Sequence, residues 1–222
     1  MKLIWCPETA SKSYIDTVKS CESIQESSVA EMISGMAGGW KPQFIVETWC
    51  HGGVISTSVG LSIASRHTSA RHVCIVPDEL SRSEYTEAMQ KVLGDLASTP
   101  LPEIIVGEPE EVMNGLVGVD FMVVDCRRKD FFKTLKFANL SQRGAVLICK
   151  NVNSRSNFGV FRWRNVLNCS SRVVRTAYLP MGKGVDMAHV ATSKSCSSTK
   201  TSPSRWIRHV DHQSGEEYII RR

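Results

Sequence analysis

FIVETWCHGGVISTSVGLSIA, residues 44–64, is the stretch whose reading decides the fold. An unbroken apolar run ends in an acid, Glu47, and a short turn follows that holds Gly52 and Gly53. A helical stretch flagged by Ser and Thr comes next. Strand, glycine turn and helix in that order outline a nucleotide-type cofactor loop, because residues without a Cβ let backbone approach a ligand closely. Trp49 and His51 stand where such a loop would carry more glycine.

Four more apolar runs share the character of the first: HVCIV (72–76), EIIV (103–106), DFMVVD (120–125) and AVLIC (145–149). They are rich in Val and Ile and nearly continuous rather than alternating, as expected of parallel strands covered on both faces. Helical patterns separate them. SRSEYTEAMQKVLGDLAS opens with a capping box, Ser81 and Glu84, and sets Tyr85, Met89, Val92 and Leu96 on one face. Ser28 and Glu31 form a second capping box, followed by an apolar stripe of Val29, Met32, Ile33 and Met36. RKDFFKTLKFANL supplies another helix, with Phe131, Leu135 and Ala138 at helical spacing. Alternating strands and helices predict a doubly wound α/β sheet. Past residue 150 the pattern changes. SSRVVRTAYLPMGKGVDMAHVA holds two β-rich runs around PMGKG and predicts an antiparallel pair. The predicted division is an α/β domain over 1–190, a mobile Ser/Thr-rich loop over 191–204, and a closing hairpin over 205–222 in which DHQSG is the turn.

The chain has 222 residues, of which 42% are hydrophobic, enough for one full-sized core. No apolar segment approaches the ~20 residues that span a bilayer, and MKLIWCPETASKSY lacks the apolar core of a secretory signal. A soluble, intracellular and cytoplasmic protein without a membrane partner is expected. Its eight cysteines include no C-x-x-C pair, and Cys74 and Cys149 lie inside apolar runs, where they read as small buried hydrophobes. Charge is divided unevenly. Residues 1–120 carry a balance of −8 and residues 121–222 a balance of +13. That asymmetry fits either an anionic partner of the second half or a solvated basic surface.

In open α/β sheets, ligands bind beyond the carboxyl ends of the strands. The positions to weigh are therefore Glu47 to Gly53, Asp78 and Glu79, Gly107 to Pro109, Asp125 to Arg128, and Lys150 to Asn153. Asp78 or Glu79 could accept from ribose hydroxyls, or could simply begin a helix, where acids favour the dipole. The dinucleotide fingerprint G-x-G-x-x-G, the phosphate loop G-x-x-x-x-G-K-[ST] and the nucleophile elbow G-x-S-x-G are all absent.

The segments EMISGMAGGWKPQFIVE, the glycine turn followed by ST, PDELSRSEY, VGEPEEVM, VDFMVVDCRRKDFFKTL and RGAVLICKN occur in that order. Together they resemble the class I S-adenosylmethionine-dependent methyltransferases, especially the O-methyltransferases of caffeoyl-coenzyme A and catechols. LPMGKGVDMAHV and SRWIRHVDHQSGEEYIIRR resemble more closely a plant family of unknown function allied to them. The resemblance covers about residues 28–190. It implies a Rossmann-like sheet of seven strands, mostly parallel, with an antiparallel final hairpin, and S-adenosylmethionine as cofactor. Carried over, Glu47 would organise the methionine moiety and Gly53 would match the last glycine of the loop, with Gly52 beside it. Asp78 or Glu79 would take the ribose. Gly107, Glu108 and Pro109 would line the adenine, and Asp125 would stand near the sulfonium and the acceptor.

Two departures from the family stand out. The family's first loop glycine is here Trp49, so either the indole turns away or the cofactor site is closed. The metal-dependent relatives hold a divalent cation with an Asp after strand four and an Asp-Asn pair after strand five. Here Asp125 and Asn151 remain while the middle position is Lys150, and DCRRK adds Arg127 and Arg128. An ammonium repels a cation that needs several oxygens, so no metal is expected. Lys150 would pair with Asp125 or serve as a base. Three readings follow. One is a metal-independent methyltransferase whose unidentified small-molecule acceptor faces Asp125, Lys150 and Asn151. Another is a catalytically inactive methyltransferase-like module that binds a protein partner. The third is a nucleic-acid binder that stacks bases on Phe158, Phe161 and Trp163 beside Arg162 and Arg164; packing of those aromatics into the core is the favoured alternative to it.

Overall fold

Strand β1 (Phe44–Thr48) is buried along its whole length, which is why its sequence shows no polar alternation. The computed structural model describes residues 4–22, 24, 27–94, 99–154, 161–167, 171–192, 206–210 and 217–221. β2 (Arg71–Val76) and β3 (Glu103–Val106) extend the sheet on one side of β1. β5 (Phe121–Asp125) and β7 (Ala145–Lys150) extend it on the other, all in parallel register. β9 (Val185–Thr192) then pairs antiparallel with β7, and β8 (Ser171–Leu179) pairs antiparallel with β9 at the edge. The order is β3-β2-β1-β5-β7-β9-β8. This is the doubly wound, mostly parallel sheet with an antiparallel ending that the sequence predicts. Strand order reverses between β1 and β5, so the ligand crevice of such a sheet belongs at the carboxyl ends of these two strands. β4 (Val117–Val119) and β6 (Asn139–Leu140) form a separate small parallel pair. β10 (Trp206–Val210) and β11 (Glu217–Arg221) pair antiparallel on their own. The predicted mobile loop lies almost wholly outside the described residues.

Helices cover both faces. α1 (Pro7–Ser20), α2 (Ser27–Trp40) and α3 (Ser56–Thr68) lie on one side. There Ile33 and Leu61 pack on Ile45, Val123 and Ile148. α4 (Glu79–Leu93) continues this layer, with Tyr85, Met89 and Leu93 against Cys74 and Val76 of β2. On the opposite face α5 (Pro109–Gly115), α6 (Phe131–Lys136) and α7 (Trp163–Val166) cover Val46, Met122, Val124 and Leu147. Each fully buried Ile, Leu, Phe or Met contributes about 1.5–3 kcal/mol, whereas an exposed ion pair contributes at most about 1 kcal/mol, so the two-sided core dominates stability.

Several sequence expectations need correction. Ser81 does not cap its helix. Asp78 does, accepting from the Ser81 N–H at 2.7 Å, because its backbone is extended (φ −152°) and Glu79 already begins the turn. α2 starts at Ser27, which puts Ser28 inside the helix and not at its cap. α6 is shorter than its pattern suggests, although Phe131, Leu135 and Ala138 are all buried. The leading helix α1 packs on α2, where the Thr17 and Ser34 hydroxyls hydrogen-bond at 2.7 Å and Ser34 Oγ donates to the Ser13 carbonyl at 3.2 Å.

Candidate functional site

Asp125 and Lys150 end β5 and β7 as direct register neighbours, and Glu47 is next to last in the adjacent β1. All three are buried. Glu47 lies under α3 and α4 and accepts from Ser58 Oγ at 2.8 Å, from Tyr85 OH at 2.8 Å and from His72 Nε2 at 3.1 Å. Burial alone would raise its pKa. The hydrogen bond and charge of His72, the charge of Lys150 and the Ser58 hydroxyl outweigh burial and hold the carboxyl below its ordinary range. Its oxygens are thus turned into the fold. The reach of Tyr85 and His72 to Glu47 crosses separate elements and carries no signal in the sequence.

Trp49 is 2% exposed. Its ring stands edge-on to Tyr85 at 5.4 Å and belongs to the cluster of Cys21, Val59, Ile63 and Met89. A Cβ at Gly53 would sit only 2.7 Å from the indole nitrogen, so the packing of the tryptophan requires a glycine at this position. The indole N–H is buried without a hydrogen-bond partner among the described residues. The ring turns inward, into the core beneath the loop.

The rest of the loop is fastened to its neighbours. His51 pairs through Nδ1 with Glu84, its N–H donates to Ser81 Oγ at 3.2 Å, and Gly52 takes φ +70° while its N–H donates to Glu84 at 3.4 Å. His51 is exposed, as expected, but it ties the loop after β1 to the first turns of α4. From the other side, Arg128 donates to the Trp49 carbonyl at 3.1 Å and forks onto Asp130. Asp78 is occupied as the α4 cap, which lowers its pKa through the Ser81 backbone N–H, and Glu79 is exposed in the first turn. Glu108 holds the N-cap position of α5 without a side-chain cap bond, and Pro109 is its first residue. Gly107 N–H donates to the Val76 carbonyl at 3.0 Å. The segment expected to line an adenine is therefore a helix start.

Asp125 accepts from Arg127 Nη2 at 2.8 Å, from the Arg127 N–H at 2.9 Å and from Asn151 Nδ2 at 2.9 Å. Burial pushes its pKa up, but the Arg127 hydrogen bond, the Lys150 charge and the Asn151 amide bring it below the ordinary range. The expected Asp125–Lys150 ion pair is not formed, because Arg127 reaches Asp125 from two residues away and takes its place. Asn151 adopts φ +62°, tolerable for Asn, and is held there by Asp125. Lys150 is 5% exposed, and its ammonium has no hydrogen bond or ion pair among the described residues.

Neither implied group fits these residues. The indole is packed inside the loop after β1 and Glu47 is engaged internally, while Asp78 caps α4 from an exposed position. Asp125 is neutralised by Arg127, and Lys150 replaces an oxygen that a divalent cation would need. The cavity that does open at this end of the sheet measures about 320 Å³. It is lined by Lys150 and Asn151 together with Val54 of the loop after β1 and residues from α2, α3, the β8–β9 turn and β9, while Glu47, Trp49, Asp78 and Asp125 are not in its walls. The stacking surface also fails. Phe161 and Trp163 are buried, ring on ring at 5.0 Å, with Phe131 close by; Arg162 and Arg164 point outward, and Phe158 lies outside the described residues. No helix among the described residues is long and apolar enough to cross a membrane.

A family model described as "Protein of unknown function (DUF1442)" matches residues 1–222. No curated protein matches the chain in sequence. Among solved structures, a methyltransferase from Geobacter sulfurreducens is 20% identical at a TM-score of 0.55, with 81% of this chain and 88% of that one covered. A Podospora anserina methyltransferase bound to S-adenosylhomocysteine is 16% identical at a TM-score of 0.57, with 85% and 89% covered. The O-methyltransferase TomG from Streptomyces achromogenes, in complex with S-adenosylmethionine, is 18% identical at 0.52, with 81% and 90% covered. At these identities the likeness establishes the fold alone: it is that of the S-adenosylmethionine-dependent methyltransferases.

Proposed function

From the premise that the chain belongs to this family of unknown function, we propose that it is a methyltransferase-fold binding protein whose cofactor groove is closed by its own side chains. The observation that carries this reading is Trp49, buried between Gly53 and Tyr85 where the resemblance places a glycine. Opening the groove means expelling a packed indole. Truncating a core Trp costs about 3–5 kcal/mol, which a ligand would have to repay from its binding energy. A cofactor held at micromolar strength has only about 8 kcal/mol in all. Thermal melts with S-adenosylhomocysteine test the reading. A ligand at a hundred times its Kd adds about 2.7 kcal/mol of stability, so binding would be plain to see. No shift is expected for the natural chain, and a clear upward shift would sink the proposal.

A second reading, a metal-independent S-adenosylmethionine-dependent methyltransferase acting on a small molecule, is favoured by one observation. Asp125, Lys150 and Asn151 share one end of the sheet, and the last two open onto a cavity large enough for a small acceptor. The same melt decides between the two readings, since this one requires the cofactor to bind.

A further inference from the structure

The basic half of the chain has a centre. Residues 131–185 hold ten Lys/Arg and no Asp/Glu, and they include β8, the edge strand of the sheet. β8 is nine residues long and pairs on one side only, with β9. In an antiparallel pair about half of the residues turn their N–H and C=O away from the partner strand. Among the described residues none of these outward groups of β8 meets another backbone group. Such a row is a template for one more strand. Arg172, Val174, Arg175, Thr176 and Tyr178 are exposed along it, two of them large and apolar.

Beside this edge lies a cleft of about 590 Å³ between α7 and β8. Trp163 forms part of its wall, buried against Phe161, and donates from its indole N–H to Asp186 at 3.2 Å. Asp186 is the one acid among the described residues that line the cleft, and that bond engages it. Arg162, Arg164 and Arg175 line it too. With Arg172 of the same strand they make four arginines, none of which forms an ion pair among the described residues. The fold thus sets a concentrated positive charge beside an open strand edge and supplies it with no carboxylate of its own.

We infer that this edge docks an extended acidic segment of a partner protein, which adds a strand to β8 and sets carboxylates two residues apart against Arg162 and Arg164. Main-chain pairing supplies affinity in such an addition, and the guanidinium–carboxylate contacts select the sign of the partner. Side chains two apart share one face of a strand, so alternate acids reach the cleft together. A second copy of this chain fits poorly, because two β8 edges would oppose their arginines, and like charges across a strand pair are destabilising. The chain beyond β9 is no better matched: residues 193–222 carry six Lys/Arg against three Asp/Glu. Nucleic acid would leave the strand edge unpaired and find Phe161 and Trp163 already buried. No residue of this surface belongs to the loop after β1 or to the cavity beside Lys150, so it rests on neither reading of the cofactor groove.

The test uses the full chain and a fluorescent synthetic nonapeptide of alternating Glu and Val, followed by anisotropy at low salt. Binding is expected, and it should weaken as salt screens the charges. The same peptide with Lys in place of Glu should bind at least about tenfold more weakly. So should the Glu peptide N-methylated at every residue, which keeps its charge but cannot donate to a strand. In hydrogen exchange, the β8 amides that face away from β9 should be unprotected in the chain alone and slow at least about tenfold with the Glu peptide bound. Arg162→Ala combined with Arg164→Ala, both exposed positions, should cost about tenfold in affinity. A chain that ignores the Glu peptide, or holds the Lys or N-methylated peptide equally well, overturns the inference. So does a folded double variant of undiminished affinity. Outward β8 amides already protected in the chain alone mean that a second copy or the chain's own tail covers the edge, and a single-stranded oligouridine bound more tightly than the peptide means a nucleic-acid surface; either result also overturns it. Should the double variant fail to fold, the N-methylated peptide and the exchange measurement decide the matter on the natural chain.

Discussion

Two regions at the same end of one sheet have gone opposite ways. Over β1 and β2 the buried Glu47 is answered by three donors, Asp78 accepts from an α4 amide, and Glu84 and Arg128 fasten the loop, while Trp49 packs inside it. Over β7 and β9 the chain leaves a cavity, with the Lys150 ammonium unpaired among the described residues and an α3 start that no side chain caps. Within that sheet β1, β2 and β7 run parallel and β9 runs antiparallel to β7, and strand direction alone does not explain the difference. Side-chain bulk and charge explain it: a Trp at position 49 closes one region, and a Lys at position 150, denied its carboxylate by Arg127, keeps the other unsatisfied.

The strongest way to break this contrast is Trp49→Gly. Losing the indole should destabilise the chain by about 3–5 kcal/mol in urea unfolding. S-adenosylhomocysteine should then stabilise the variant but not the parent. A variant as stable as the parent would show that the ring holds nothing together. Next is Tyr85→Phe, which removes one donor from the buried Glu47 carboxylate; a loss of about 1.5–3 kcal/mol is expected by the same method.

Acid tests both regions together. Glu47 and Asp125 have folded pKa values below their ordinary ones. The unfolded chain therefore takes up protons first as pH falls. Their contribution is fully present above the unfolded carboxylate range and is lost as pH drops through the folded values. Urea midpoints measured from neutral pH downward should fall in that window. Lys150→Met should raise the carboxyl titrations of both residues, followed by carbon NMR, because the same ammonium lowers both; unchanged titrations would contradict the charge arrangement around Lys150. The smallest effect belongs to His51→Ala. Its pair with Glu84 is solvent-exposed, and a change of at most about 1 kcal/mol is expected. A larger loss would mean that this contact, and not the indole, holds the loop shut.

The sequence by itself determined the sheet. β1 and β3 have the bounds of their apolar runs, and β2, β5 and β7 differ from theirs by one residue each, because strands buried on both faces must be continuously apolar. It also marked Trp49 and Lys150 as the two positions where the methyltransferase pattern breaks. What it could not supply was direction. An indole next to a glycine pair can point to solvent or to the core. Only the approach of Tyr85 from α4 and of Gly53 from its own loop shows that it points inward. A lysine beside an aspartate in register looks like an ion pair until Arg127, two residues past that aspartate, is seen to fold back and take the carboxylate first. Partners separated by tens of residues compete for the same atoms, and that competition is resolved by tertiary packing, which local sequence does not encode.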